Sequence, residues 1–316
     1  MFRTPTIIKS TVTTLLACSL FAGSVYAESN STTATPNNNK STSHNQTTHT
    51  VESLCREVGR KLGSVSIANC LQQNLYHSDG HSTQGRPITT KEYPPLASRR
   101  PLGRVLLMGG IHGDEFSAVS IMFRWMEKLD LYHSGLFHWQ VVPLLNPDGL
   151  LRKRSQRQNH NGIDLNRNFP TPDWHQLAKK YWEKRTYRNP RRFPGKFPGS
   201  EPETKWFMKL IKDFEPDAII AVHAPHKLVD FDGPTKAPQQ LGPLRLRQLG
   251  IYPGSLGNYG GVHLGIPVVT VELPSAGIMP SEKEISQMWV DLVRWLRSEV
   301  PKYRAAKFEK SNKKSS

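Results

Sequence analysis

Apolar residues along this chain come in short continuous runs set between polar turns and longer amphipathic stretches. Arg104–Met108 (RVLLM), Trp139–Leu145 (WQVVPLL), Ala218–Val222 (AIIAV) and Pro267–Val271 (PVVTV) have strand length and little polar alternation. Such runs predict strands covered on both faces. A further strand is expected from Arg86-Pro87-Ile88, after a turn at Thr83-Gln84-Gly85. Three stretches carry helical spacing instead: Ser117–Leu129, with Val119, Ile121, Met122, Trp125, Met126 and Leu129; Thr204–Phe214, with Trp206, Phe207, Leu210, Ile211 and Phe214; and Ile285–Val300. Strands alternating with helices predict an α/β fold around a mostly buried central sheet flanked by helices. The chain shows no internal repeat.

The ends have a different character. Residues 1–27 read as a signal peptide: Arg3 and Lys9 give a positive start, an apolar stretch runs from Ile7 to Tyr26, and Val25-Tyr26-Ala27 supplies the small residues a signal peptidase needs. The protein is therefore expected to be exported, periplasmic or secreted. Leu15-Leu16-Ala17-Cys18 also resembles a lipoprotein box, which offers lipid anchoring through Cys18 as the lesser alternative. Residues 28–50, almost all Ser, Thr, Asn, Gln and Lys, cannot bury a core and are expected to form a disordered polar linker. Residues 51–84 read as an N-terminal extension in which Cys55 and Cys70, an even pair in an exported chain, are expected to form a disulfide. Residues 85–301 form the body, and 302–316 read as a basic flexible tail.

Composition narrows the class. The 316 residues include 42 Lys and Arg against 26 Asp and Glu, a net charge of +16; residues 1–27 hold two of those positive charges, so the mature chain carries +14. Only the N-terminus is continuously apolar, which excludes a multispan membrane protein and leaves no transmembrane helix in the mature chain. Three Cys are too few for a disulfide-built scaffold or a Cys-rich zinc module. Lys179, Lys180, Lys184, Arg185, Arg188, Arg191, Arg192 and Lys196, interleaved with Tyr181, Trp182, Tyr187 and Phe193, make one stretch strongly basic. No nucleic-acid motif accompanies it, so no nucleic-acid partner is expected. The excess of cations instead suits anionic polymers of a cell envelope or an anionic substrate.

Polar residues sit where the apolar strands end: His112, Asn146, His223 and Glu272. Ligands gather at the carboxyl ends of strands in α/β folds, so four such residues on four strands have the pattern of an active site. In Gly109-Gly110-Ile111-His112-Gly113-Asp114-Glu115, an imidazole and a carboxylate three residues apart can converge on one ion. With one further His they describe a catalytic zinc site with a position open for water. In Gly162-Ile163-Asp164-Leu165-Asn166-Arg167-Asn168-Phe169-Pro170, the Asn166–Arg167 pair can hold a carboxylate, and Arg157 is a second guanidinium that could face a reacting carbonyl. Glu272 interrupts an apolar strand end, and a buried carboxylate needs a partner or a task. General base toward a zinc-activated water supplies one.

With these motifs assembled, the chain resembles the zinc metallocarboxypeptidases of the carboxypeptidase A type. The resemblance spans roughly residues 85–300 and rests on HGDE at 112–115, NPDG at 146–149, GIDLNRNFP at 162–170, and the strand-end His223 and Glu272, all in the family's order. It implies a mixed sheet of about eight strands between helices and one Zn²⁺ held by His112, Glu115 and His223. Arg157 would polarise the scissile carbonyl, Asn166 and Arg167 would grip the substrate's terminal carboxylate, and Glu272 would be the general base. Digestive members also place a Tyr over the substrate, for which Tyr252 and Tyr259 are candidates. Within the family the chain looks most like bacterial murein tripeptide amidases, which cut the γ-D-glutamyl–diaminopimelate bond of peptidoglycan peptides. Those are cytoplasmic recycling enzymes, and the export signal here is a departure that bears on substrate rather than chemistry. The expected function is therefore an exported zinc metallopeptidase acting on cell-wall peptides. Its alternatives are a carboxypeptidase for ordinary peptides, a zinc deacylase of the aspartoacylase type, and a non-catalytic cationic wall-binding protein.

Overall fold

A computed structural model describes residues 49–315; the expected signal peptide with Cys18, and all but the last residues of the expected linker, lie outside the described residues. The predicted apolar runs become the centre of one sheet. Its strands are β1 (Tyr76–His81), β2 (Pro87–Tyr93), β3 (Arg104–Met108), β4 (His138–Val142), β5 (Ala218–His223), β6 (Leu228–Asp232), β7 (Gln240–Leu241), β8 (Leu244–Leu246) and β9 (Val268–Glu272). They lie in the order β1-β2-β4-β3-β5-β9-β6-β8-β7. β4, β3, β5 and β9 run parallel, while β2 and β6 flank them antiparallel. The helices are α1 (Val51–Lys61), α2 (Ile67–Gln72), α3 (Phe116–Tyr132), α4 (Pro147–Leu151), α5 (Trp174–Arg185), α6 (Pro202–Phe214) and α7 (Glu282–Ser315).

Alternation along each strand sorts its side chains onto two buried faces, which is why the sequence shows unbroken apolar runs. On β3, Val105 and Leu107 join the core shared with α3 and α7, whereas Leu106 and Met108 join the core shared with α6. β5 divides the same way, with Ala218, Ile220 and Val222 on the first face and Ile219 and Ala221 on the second.

Among the described residues the sheet has nine strands, in keeping with the expected sheet of about eight. Two expectations change. The segment 51–84 is not a separate extension, because β1 pairs with β2 and the turn beyond it is tied to the body: Ser82 Oγ donates to Asp148 at 2.8 Å and the Thr83 N–H donates to Glu203 at 2.9 Å. Within that segment a Cys55–Cys70 disulfide joins α1 to α2. The expected flexible tail at 302–316 is instead the continuation of α7 through Ser315. Its Tyr303 is buried, and Arg304 donates to the Leu102 carbonyl at 3.0 Å.

The parallel centre fixes the site. β4, β3, β5 and β9 all end at one edge, which brings the loops carrying Asn146, His112, His223 and Glu272 together. His223 and Glu272 are register partners on β5 and β9. The period of two also places His223, Glu272, Thr270, Asp230 and Asp232 on one face of the sheet, opposite the face that holds Val222, Val271, Val229 and Phe231. Leu106 is fully buried at the sheet's centre. Leu106→Ala should therefore lower the unfolding free energy by about 2–5 kcal/mol in a denaturant titration, through lost burial and the cavity left behind.

Candidate active site

His112 and Glu115 occupy the turn between β3 and α3. Gly113 in that turn packs so tightly on the Gly149–Leu150 peptide that a Cβ there would lie 2.1 Å from the Gly149 carbonyl carbon. The Nδ1 atoms of His112 and His223 lie 3.2 Å apart. One oxygen of Glu115 lies 2.7 Å from His112 Nδ1, and the other lies 3.2 Å from His223 Nδ1. All three residues are buried. Tetrahedral zinc with bonds of about 2.1 Å would set its ligand atoms roughly 3.4 Å apart, near the 3.2 Å between the two Nδ1 atoms, so this trio fits the ion.

His112 is oriented from behind. Its Nε2 lies 3.2 Å from Asp164 Oδ1, which leaves the Nδ1 lone pair for the metal. Asp164 is fully buried and also accepts from Arg157 Nε at 2.8 Å and from the Asn166 N–H at 3.1 Å. Burial alone would raise its pKa; Arg157 and His112 outweigh that and hold it well below the usual carboxylate range. Glu115 behaves likewise, with His112 and His223 overcoming the cost of burial. Arg157 lies between Asp164 and Glu115, and its own pKa is raised because both carboxylates outweigh desolvation.

Asn166 and Arg167 line the same cavity, which encloses about 200 Å³. The Asn166 side-chain oxygen accepts the Leu256 N–H at 2.8 Å, so its amide N–H groups remain for a ligand. Arg167 is buried, its guanidinium lies 4.6 Å above the Tyr252 ring, and its Nε has no hydrogen-bond partner among the described residues. Burial, Arg157 and Arg192 push its pKa down against the opposing pull of Asp164. A buried cation that forms no ion pair among the described residues is suited to an incoming carboxylate. Gly254, at φ +75°, allows the loop to pass close by, since a Cβ there would lie 2.0 Å from the Arg167 carbonyl oxygen. Glu272 lines the cavity beside the metal trio, and the His226 N–H approaches its Oε2 at 3.4 Å.

Residues 72–233 match the peptidase M14 zinc carboxypeptidase family, slightly more than half of the chain. The chain belongs to the zinc carboxypeptidase family. It is similar to murein peptide amidase A of Escherichia coli (strain K12), 30% identical over 223 residues that cover 68% of this chain and 88% of that protein. The same-named protein of Vibrio campbellii (strain ATCC BAA-1116) is 29% identical over 208 residues, covering 62% of this chain and 78% of its own. Carboxypeptidase A from Helicoverpa armigera superposes with a TM-score of 0.58 at 17% identity, covering 83% of this chain and 75% of that one, a likeness of fold. As in other zinc carboxypeptidases, the activity is that of a hydrolase. Glu272 lies beyond the matched span and is placed here by the pairing of β5 with β9.

All seven residues singled out in the sequence thus meet around one cavity. Asn146, the other strand-end residue, does not: it is a brace, donating to the carbonyls of Ile111 and Arg157 at 3.1 and 3.2 Å. Of the two tyrosines, Tyr252 lines the cavity, whereas Tyr259 stacks on Phe169 with centroids 5.4 Å apart. Sequence reasoning missed Asp164 and Arg192. Asp164 lay inside a motif already quoted, and an acid spaced between two arginines was the available signal. Asp164→Asn should weaken zinc affinity about 10–100-fold in a chelator competition, as the loss of a ligand-orienting partner does. Unchanged affinity would mean that the carboxylate does not orient His112.

Proposed function

We propose that the protein is an exported zinc metallopeptidase that hydrolyses the amide before a C-terminal residue, with γ-D-glutamyl–diaminopimelate in peptidoglycan peptides as its substrate. The observation that carries this reading is the charge layout of the cavity: Arg167, without an ion-pair partner among the described residues, beside Asn166 near the metal trio, with Asp230 and Asp232 also in its lining. A terminal carboxylate and an amino-bearing side chain, both present in diaminopimelate, complement that layout. The similarity to two murein peptide amidases supports the same substrate class.

His112, Glu115 and His223 would hold Zn²⁺, which supplies Lewis-acid polarisation of the carbonyl and of water. Arg167 and Asn166 clamp the terminal carboxylate, and this fixes which amide lies in reach. Arg157 donates to the carbonyl oxygen as negative charge develops there. Glu272 takes a proton from the attacking water and passes it to the departing amine. Export rests on the N-terminal 27 residues, and the mature charge of +14 supports attraction to an anionic envelope.

The deciding experiment incubates the zinc-loaded mature protein with L-Ala-γ-D-Glu-diaminopimelate beside ordinary peptides ending in Lys, Arg or Phe, with products read by mass spectrometry. Release of diaminopimelate alone is expected; cleavage of the ordinary peptides alone would move the protein to the general carboxypeptidases. A pH dependence follows from Asp232, whose pKa is raised to about 6 by burial and by Asp230. Its carboxylate is charged above that value and attracts an ammonium; it is neutral below. The ratio of kcat/KM for substrates with and without the side-chain ammonium should therefore fall roughly tenfold as pH drops from 8 to 5, the size of one charge-assisted hydrogen bond. A flat ratio would remove Asp232 from substrate recognition.

A further inference from the structure

Part of the basic, aromatic stretch at 179–196 is built into the site. After α5 the chain makes a 3₁₀ turn at Pro190–Arg192. That turn is held from several sides. Trp182 Nε1 donates to the Asn189 carbonyl at 2.8 Å, and the Trp182 ring packs on Phe193 with centroids 4.9 Å apart. Gln158 Nε2 donates to the Pro190 carbonyl at 2.8 Å, and the Asp164 N–H donates to the Phe193 carbonyl at 2.8 Å. The turn is thereby fastened to the same loop that carries Arg157 and Asp164.

Its two arginines have different environments. Arg191 pairs with Asp114 at 2.7 Å, away from the cavity lining. Arg192 is half-buried and lines the cavity, and among the described residues no carboxylate pairs with it. The cavity therefore holds three guanidinium groups. Arg157 is neutralised by Asp164 and Glu115, and Arg167 is reserved for the terminal carboxylate. Arg192 remains, close enough to Arg167 to disfavour its charge. Asp164 pulls the other way on Arg167 without restoring its ordinary value, so a ligand's anions would still relieve two like charges kept together.

We propose that Arg192 is a specificity-determining residue that binds a second carboxylate of the substrate. This rests on the peptidoglycan reading above and extends it. A γ-D-glutamyl–diaminopimelate peptide offers that group in two places: the α-carboxylate of the γ-linked glutamate, and the side-chain carboxylate of diaminopimelate.

The test compares wild type and Arg192→Gln, both zinc-loaded, on three substrates. L-Ala-γ-D-Glu-diaminopimelate carries both groups, L-Ala-γ-D-Glu-Lys lacks the side-chain carboxylate, and L-Ala-D-isoglutaminyl-diaminopimelate lacks the α-carboxylate. Arg192→Gln should lower kcat/KM on the first by about 10–100-fold, mainly through KM, as expected for losing a charge-assisted, bidentate contact. On whichever substrate lacks the recognised group the loss should shrink to less than about threefold, which identifies the group. Matching zinc content and unfolding midpoint for the two proteins would show that the variant is folded. An equal loss on all three substrates, or no loss on any, would overturn the role of Arg192 while leaving the proposed function standing. Failure of the wild type to cleave any of them would overturn both.

Discussion

A single buried carboxylate organises this site. Asp164 has no solvent exposure and touches His112, Arg157 and the Asn166 backbone at once. A charge removed from water is costly unless its partners are well placed, and here the partners are the functional groups themselves. The contact to His112 leaves Nδ1 as the nitrogen that would face a metal. The contact to Arg157 holds a guanidinium in the cavity beside Glu115. The contact to the Asn166 N–H starts the turn that presents Arg167. The His112 turn and the segment that carries Arg157, Asp164 and Asn166 are thus coupled through one side chain, so the ionised form of Asp164 is part of the architecture.

Around that centre the fold supplies rigidity. Asn146 ties the β3 and β4 loops to the Arg157 segment, and Asn159 is held by Glu201 and Glu203 at 2.7 and 3.1 Å. The segment from 157 to 164 is therefore fixed at several points, as groups that must stay within a fraction of an ångström require. The sheet contributes in a different way. Its period of two turns one face of β6 and the ends of β5 and β9 on that side into cavity lining, while the opposite face remains core. An apolar fold and a charged pocket thereby share the same three strands.

The central strands were legible because burial on both faces writes them as continuous apolar runs. β6, β7 and β8 were not: β6 alternates with Asp230 and Asp232, and β7 and β8 are two and three residues long. The trio and Glu272 stood out because His223 and Glu272 end readable strands, while His112 and Glu115 lie in the Gly-rich turn just past another. Arg192 could not be picked from eight neighbouring cations, since only the packing of Trp182 and Gln158 on its turn distinguishes it. The end of α7 was misread for a related reason. Its Lys, Arg and Ala suit a helix or a solvated tail equally, and the burial of Tyr303 decides between them.

The central claim is that His112, Glu115 and His223 hold the metal while Glu272 moves the proton. It is tested most directly by measuring zinc content and peptide turnover on the same preparations of wild type, His223→Ala and Glu272→Gln. The account requires His223→Ala to lose both zinc and turnover. It requires Glu272→Gln to keep wild-type zinc while turnover falls by at least about 100-fold, the low end of what a positioned general base contributes. Undiminished zinc in His223→Ala, or near-normal turnover in Glu272→Gln, would contradict it.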